Sequence, residues 1–423
     1  MISGLLVVAF GAALIGLWQP FIGLLGVGVL CTLDSLATSL LLRGGLWRWN
    51  TLNYWLLVVV ILFLPLVIRR RDPRVVLLVV LIALLAVELV WSRDRATGLQ
   101  HVFGALSLFG LFVYFRRAAR TPGAWYWLGI VNGVTGLGVS LAFIGHESRL
   151  PEVNPNVWSH APVMGVLSVC LALAAIPLPR GRRLLLAALA GASGSIVFLT
   201  GSRGNLAITL IALLALTLMI PSLSQRVVVL VATLLLSVAV ISQFPDLEAR
   251  TIGRLRLLAD ANETARQRTS GRFDLALGSW YIFREHPMGV GTGSFTSYWV
   301  RLGRRPGMST FGTGQPFAAH SAWVRALAEN GVLGVLLLGA FVTSFAVAGL
   351  RRAGRFRVLG LLVAAALASG FSSSEFQAKS LWYLAAGATV LLQLNRAGRR
   401  RRPLAGGPWP VNPAAGRGGE DAG

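Results

Sequence analysis

One arginine lies between two strongly apolar segments, in residues 200–205, which read TGSRGN. A charge placed this close to a membrane interior is costly, and it usually lines a cavity or pairs with a ligand. Glycines near Arg203 leave space beside it for such a ligand. The alternative is an arginine whose long side chain reaches the lipid headgroups. The pattern favours a functional arginine that binds an anion.

A histidine, His320, opens a predicted short helix that ends at Glu329 and leads into an apolar segment beginning at residue 332. Histidine accepts a proton near neutral pH, which suits it to general-base catalysis. A histidine so close to Trp323 could instead belong to the aromatic belt at the membrane surface. The local sequence leaves both interpretations open.

Two short motifs could contact a ligand through backbone or amide groups. Residues 289–293 read GVGTG, but they follow a predicted helix instead of a strand, which excludes a dinucleotide-binding loop. Gly289 and Gly291 are instead expected to let the backbone approach a ligand. Asn154 and Asn156 could bind sugar hydroxyls or form a plain turn.

No pattern in the sequence indicates a metal site, a disulfide or another cofactor. Cys31 and Cys170 both lie in apolar segments. The loops predicted on the outer side of the membrane carry no Asp-x-Asp pair and no His/Cys cluster with the spacing of a divalent-metal site. Asp34 and Glu88 lie in or near predicted spans and are expected to be structural partners of arginines. Chemistry without a metal is therefore predicted.

The elements that must position these residues are membrane-spanning helices. Hydrophobic residues make up 55% of the 423 residues and charged residues only 13%, whereas a soluble protein has about a quarter charged residues. The apolar residues fall in blocks of roughly 15–22, enough to cross a hydrocarbon core of about 30 Å. We predict an all-α transmembrane bundle with about twelve spans. The apolar blocks are 3–18, 21–42, 52–68, 75–91, 101–115, 124–144, 161–178, 184–200, 206–220, 227–242, 332–350, 358–371 and 381–394. Gln19-Pro20 leaves open whether residues 1–42 form one span or two.

The net charge of +23 comes from arginine, since Lys379 is the only lysine. The arginines cluster at the ends of spans instead of forming the continuous face that nucleic acid requires. By the positive-inside rule, the side that holds most clusters is cytoplasmic, and so is the C-terminus. Arg93 and Arg95 are exceptions, because they fall on the outer side.

Four regions follow from this topology. Residues 1–242 are predicted to form an N-terminal bundle of about ten spans, 332–394 the C-terminal spans, and 395–423 a disordered basic cytoplasmic tail. Residues 243–331 form a large extracytoplasmic loop with predicted helices at 247–258 and 271–285. This loop is rich in arginine on the face where the topology rule disfavours it, which indicates anion binding.

Three stretches resemble the O-antigen ligase and O-antigen polymerase superfamily of bacterial surface polysaccharide assembly. Residues 200–205, followed at once by an apolar span, are similar to the family's Ser-Arg-Gly motif. The other two are Ser270-Gly271-Arg272 with Trp280, His286-Pro287, Gly289 and Gly291, and His320 with residues 328–331 and Gly334. The weaker matches are Trp91-Ser92 and residues 154–156. The resemblance spans most of 90–345 and does not separate ligases from polymerases.

The resemblance implies a glycosyltransferase at the periplasmic face of the bacterial inner membrane. The donor would be a glycan on a polyprenyl pyrophosphate such as undecaprenyl pyrophosphate. The acceptor would be a sugar hydroxyl of a lipid-linked glycan such as the lipid A–core of lipopolysaccharide. His320 would be the general base, while Arg203 and Arg272 would hold the pyrophosphate. The expected substrate-binding residues are Asn156, Arg268, Arg284, Gly289, Gly291 and Glu329.

Two alternatives remain beside a ligase. A repeat-unit polymerase of the same superfamily would use the same donor. A polytopic transporter or lipid-linked glycan flippase should instead show symmetric halves and ionisable residues on several spans. The sequence shows no internal repeat, and its polar residues concentrate in one outer loop. That distribution favours an enzyme.

Overall fold

A computed structural model of the chain describes residues 11–12, 15, 19–41, 72–119, 121–144, 155–200, 202–243, 272–304, 321–373 and 379–400. Within these ranges all regular structure is helical and no strand occurs. The predicted all-α class is therefore confirmed.

The helices follow one another in this order. They are α1 (Pro20–Leu41), α2 (Pro73–Val87), α3 (Arg95–Ala118), α4 (Pro122–Ile144), α5 (Pro155–Ala175), α6 (Arg180–Leu199), α7 (Arg203–Met219), α8 (Leu223–Ser242), α9 (Arg272–Glu285), α10 (Phe295–Gly303), α11 (Ala322–Glu329), α12 (Gly331–Leu350), α13 (Arg355–Ser373) and α14 (Lys379–Arg400). A 3₁₀ turn, Glu88–Val90, extends α2.

A helix occupies each predicted span from 75–91 onward, and α9 occupies the predicted loop helix at 271–285. The predicted spans 3–18 and 52–68 and the loop helix 247–258 lie largely or wholly outside the described residues. Within the described ranges, five helices are long and apolar enough to cross a membrane, namely α2 with its 3₁₀ turn, α3, α6, α12 and α13. The chain is thus a multi-pass membrane protein, and the total of about twelve spans stays a prediction.

Several helices extend beyond their predicted ends, among them α3, α5 and α14. Pro155 stands at the first position of α5, where proline's missing N–H costs nothing. The helix α5 therefore begins ahead of the predicted span 161–178 and includes residues for which a plain turn was one of two interpretations. α14 continues to Arg400 and includes the beginning of the predicted tail.

The centre of the bundle is formed by α5 and α14. The side chains of α5 from Ala161 to Ala174 are almost completely buried, and α5 contacts α1, α4, α6, α7, α13 and α14. A helix that is apolar all round belongs in such a central place. By contrast, α8 exposes Leu230, Leu234 and Leu235 on its outer face, as expected of a helix in contact with lipid.

One polar group joins three of the central helices. The Asn132 side-chain amide on α4 donates to Ser168 Oγ on α5 (2.8 Å) and to Tyr383 Oη on α14 (2.9 Å). Interhelical hydrogen bonds of this kind stabilise membrane bundles, because a lone amide in an apolar interior would be costly. The C-terminal helices are consequently tied to the N-terminal ones inside one bundle.

Candidate functional site

Two arginines that are far apart in the sequence lie close enough in the structure to interact electrostatically. α7 begins at Arg203 and α9 begins at Arg272. Burial, and then the charge of Arg203, lower the pKa of Arg272 below its usual value. A guanidinium stays protonated in proteins nonetheless. The pair therefore places two positive charges close together in a partly buried position.

Helix stability does not explain an arginine at the start of α7. The N-terminus of a helix is its positive end, so acidic residues stabilise the first turn and basic residues do not. The first turn of α7 contains no acidic residue, although α9 has Asp274 in its first turn. The positive end of α7 and the two guanidiniums together form an environment suited to an anion.

The segment that follows His320 is firmly attached to the bundle. His320 and Arg268 themselves lie outside the described residues. Ser321 caps α11 and donates its hydroxyl to the carbonyl of Phe371 (3.0 Å), while Trp323 Nε1 donates to the carbonyl of Ala368 (3.2 Å). Both acceptors belong to α13, which also packs against α7. One helix thus supports both the start of α11 and the helix that begins at Arg203.

The glycine-rich stretch, residues 286–294, joins α9 to α10 and packs closely on α11. The N–H of Gly291 donates to the carbonyl of Glu329 (2.9 Å). Gly289 and Gly291 have φ values of 87° and 90°. A Cβ at Gly289 would lie 2.1 Å from the backbone carbonyl oxygen of Glu329. Positive φ and close backbone approach both require glycine here. Packing against protein accounts for these glycines, and their predicted contact with a ligand stays untested.

Gly291→Ala is expected to lower the free energy of unfolding by at least about 2 kcal/mol. The left-handed conformation costs a side-chain-bearing residue roughly 1–2 kcal/mol, and the new Cβ would lie 2.8 Å from Ser92 Cα. The measurement is the thermal midpoint of the purified protein in detergent. Gly339→Ala is the control, because a Cβ at this helical position meets nothing within 4 Å. Equal midpoints for the two variants would contradict the packing described for the loop.

A buried hydrogen-bond network fastens the glycine-rich stretch to the end of α2. The Glu88 carboxylate accepts from Thr292 Oγ1 (2.9 Å) and from the Asn330 side-chain amide, and Ser92 Oγ donates to the Thr292 carbonyl (2.8 Å). The partners described for Glu88 are thus a hydroxyl and an amide, and the expected arginine partner was wrong. Glu88 lies beside the glycine-rich stretch, which supplies Thr292, and beside Asn330 at the end of α11. The side chain of Asp34, the other acid with an expected arginine partner, lies outside the described part of the chain.

Glu329 ends α11 in a buried position, with only 2% of its surface exposed. Its carboxylate accepts from the N–H of Phe295 (3.0 Å). Burial raises the pKa of Glu329, and the nearby Arg325 partly offsets this effect. The hydrogen bond from Phe295 holds α10 against α11, so Glu329 has a structural role. Its predicted role in substrate binding stays untested.

His101 is a polar residue that the sequence analysis did not single out. Its Nε2 lies 3.3 Å from Arg325 Nη1 and its Nδ1 lies 3.9 Å from Glu329 Oε2. Because arginine only donates, Nε2 must be the acceptor and Nδ1 carries the proton. A lone histidine at the start of an apolar block was the available signal, but it did not indicate a partner more than 200 residues away.

A mainly apolar cavity opens beside His101, between α2 and α12. Leu81, Leu85 and Leu338 line it, and His101 and Glu329 lie at its polar end. Of the predicted site residues that the structure describes, Glu329 is the one that lines this cavity. The arginine pair therefore lies elsewhere.

The remaining predicted site residues occupy helix ends. Arg284 is exposed in the last turn of α9, where a cation suits the helix dipole. Asn156 lies in the first turn of α5, and its side chain is outside the described part. Neither position tests the predicted contact with substrate.

The stretch of sequence that contains the Arg203–Arg272 pair and α11 matches a known family. Residues 185–339 match the family model of O-antigen ligases. This confirms the resemblance to the O-antigen ligase and polymerase superfamily. The matched residues include Arg203, Arg272, His320 and Glu329. No curated protein matches the chain.

The described part of residues 185–339 offers no obvious metal site. Across all described residues, no three or more His, Cys, Asp or Glu side chains are grouped closely enough to hold a metal ion. Loop residues 244–271 and 305–320 lie outside that search, so independence from metal stays a prediction.

Proposed function

We propose that the protein is a membrane glycosyltransferase of the O-antigen ligase type. It transfers a glycan from a polyprenyl pyrophosphate to a sugar hydroxyl of a lipid-linked acceptor such as lipid A–core. The observation that carries this proposal is the Arg203–Arg272 pair at two helix N-termini, inside a segment that matches the O-antigen ligase family. A pyrophosphate would relieve the repulsion between the two guanidiniums.

Transfer needs one proton acceptor and one site for the leaving group. In the proposed step His320 takes the proton of the acceptor hydroxyl, whose oxygen forms a bond to the anomeric carbon of the donor sugar. The bond from that carbon to the pyrophosphate oxygen breaks, and its electron pair leaves with the polyprenyl pyrophosphate. Arg203 and Arg272 stabilise the growing negative charge, because a guanidinium presents a planar fork of donors to phosphate oxygens.

The other predicted contacts belong to the same proposal. Arg268 and Arg284 would extend the positive surface toward the donor, and Asn156 would bind sugar hydroxyls. A polymerase of the same superfamily would share this donor site and differ in its acceptor. The identity of the acceptor that is consumed therefore separates the two.

The experiment that tests the function is transfer in a purified system. The full-length protein in proteoliposomes, with a glycan-bearing undecaprenyl pyrophosphate and lipid A–core, is expected to form the joined product in the presence of EDTA. Replacing lipid A–core by a second donor molecule tests the polymerase. Failure to form either product would contradict a glycosyltransferase, and activity that returns only with magnesium or manganese would contradict a metal-free step.

The proposed topology places residues 243–331 outside and the arginines between α12 and α13 inside, so that the donor site faces the periplasm. Single cysteines at Ser309 and Ala353 test it, since Cys31 and Cys170 are buried. An impermeant maleimide applied to intact cells, whose outer membrane is made permeable to it, is expected to label position 309 and not position 353. Labelling in the opposite pattern would overturn the topology.

A further inference from the structure

Two arginines outside the proposed donor site converge on one tyrosine. The Cζ atoms of Arg93 and Arg301 lie 4.7 and 5.9 Å from the centre of the Tyr298 ring. His286 meets the same ring edge-on, with the ring centres 5.2 Å apart. We refer to Arg93, His286, Tyr298 and Arg301 as the Tyr298 cluster.

The backbone that carries the Tyr298 cluster is held in place. The N–H of Arg93 donates to Ser294 Oγ (2.9 Å), so the Arg93 loop is attached to the start of α10. Tyr298 and Arg301 are one turn apart on α10, which is anchored by its buried residues Phe295 and Trp299. Both guanidiniums are therefore carried by backbone that is held in place.

Both guanidiniums are available to a ligand. Arg93 and Arg301 are exposed, and in the described part of the chain neither forms an ion pair with a carboxylate. A guanidinium stacked on an aromatic ring keeps its N–H donors in the guanidinium plane, where they can bind an oxyanion. Because Tyr298 already orders both side chains, an anion would bind with a smaller loss of conformational entropy.

The Tyr298 cluster is too far from the arginine pair to serve the same phosphate groups. Arg272 is the first residue of α9, and His286 follows its last residue. α9 has 14 residues, which corresponds to a helix of about 20 Å. That separation suits a short oligosaccharide that reaches from one site to the other.

We propose that Arg93 and Arg301 bind an acidic group, a phosphate or a carboxylate, on a sugar of the glycan substrate, remote from the reacting bond. The assignment to a glycan rests on the proposed function, whereas the oxyanion chemistry rests on the two guanidiniums. An oxyanion site also explains why Arg93 is found on the proposed outer side of the membrane, where the positive-inside rule disfavours arginines.

The test is binding of a soluble probe to the full-length protein in nanodiscs of neutral lipid. The probes are a tetrasaccharide with one phosphate monoester and the same tetrasaccharide without it. The variants are Arg93→Ala and Arg301→Ala. Arg95→Ala is the matched control, because Arg95 is an exposed neighbour that donates to the Val90 carbonyl instead. Tyr298→Phe keeps the aromatic ring and removes only its hydroxyl, so it tests whether the ring alone is enough to hold the two arginines.

We expect Arg93→Ala and Arg301→Ala each to weaken binding of the phosphorylated probe by about tenfold, with Arg95→Ala and Tyr298→Phe within about twofold. Equal affinity for the two probes would overturn the proposal. So would loss of binding when phosphatidylglycerol is added to the nanodiscs, since the cluster would then hold a lipid headgroup.

The same experiment separates this proposal from the proposed function. The probe has no pyrophosphate, so Arg203→Ala should leave its affinity unchanged even if Arg203 has no role in transfer. A loss with Arg203→Ala as large as that with Arg93→Ala would show that the two sites are not separate, and the proposal would fail.

Discussion

Replacing His320 by alanine is expected to lower glycan transfer by about 10²–10⁴-fold, the usual contribution of a general base. Donor affinity and the thermal midpoint should change little, because the proposed base acts on the acceptor hydroxyl alone. The measurements are turnover per folded molecule, donor affinity and melting temperature of the purified variant.

A histidine that only anchors the membrane surface would give a different result. His320→Ala would then lower the melting temperature or the yield, while each folded molecule kept its activity. His160→Ala is a useful control, because His160 is a partly buried histidine near the start of α5 with no role in the proposed step. Turnover of folded His320→Ala near the wild-type rate would remove the base assignment.

Removal of either arginine of the pair is the second change with a large expected effect. Arg203→Ala or Arg272→Ala should lower kcat/KM by about 10²–10³-fold, as loss of a group that stabilises a leaving anion does. Lysine at either position should restore only part of this loss, because its point charge lacks the planar fork of donors.

The control for the arginine variants is Arg182→Ala. The Cζ atom of Arg182 lies 5.4 Å from the centre of the Tyr126 ring. Arg182 belongs to the arginine cluster at the start of α6, which the proposed topology places inside. Its removal should therefore leave kcat/KM within about twofold of wild type, the usual range for a surface position. Full activity of Arg203→Lys together with Arg272→Lys would show that positive charge alone suffices, which would contradict the proposed role of the guanidinium fork.

The helices could be predicted because their signals are local. Apolar blocks of spanning length mark α2, α3, α12 and α13, and prolines stand at the starts of α1, α2, α4 and α5. A block of apolar residues has to become a helix in a membrane, since its backbone groups find no other partners there. Helix position therefore follows from sequence even where span number does not.

The candidate site could be predicted only in part. Arg203 was identifiable as a charge between apolar segments, but its proximity to Arg272 depends on where the fold places the starts of α7 and α9, which no local pattern encodes. His101 escaped notice for the same reason, since its partner Arg325 is far away in the chain. Asn330 was noticed only as part of the motif at residues 328–331, and its hydrogen bond to Glu88 could not be predicted. The glycines of residues 289–293 were noticed, but their function was not. A glycine-rich sequence indicates a close approach of the backbone, and it does not reveal that other backbone segments of the protein fill the space around these glycines.

The most direct test of the account is binding of undecaprenyl pyrophosphate, without a glycan, to purified wild-type protein, Arg203→Ala, Arg272→Ala and the double variant. If both arginines hold one pyrophosphate, each single change should weaken binding by about tenfold or more. The double change should deviate from the product of the two, because residues that share a ligand are coupled. The preference for pyrophosphate over undecaprenyl monophosphate should disappear as well. A folded double variant that binds undecaprenyl pyrophosphate as tightly as wild type would contradict the account.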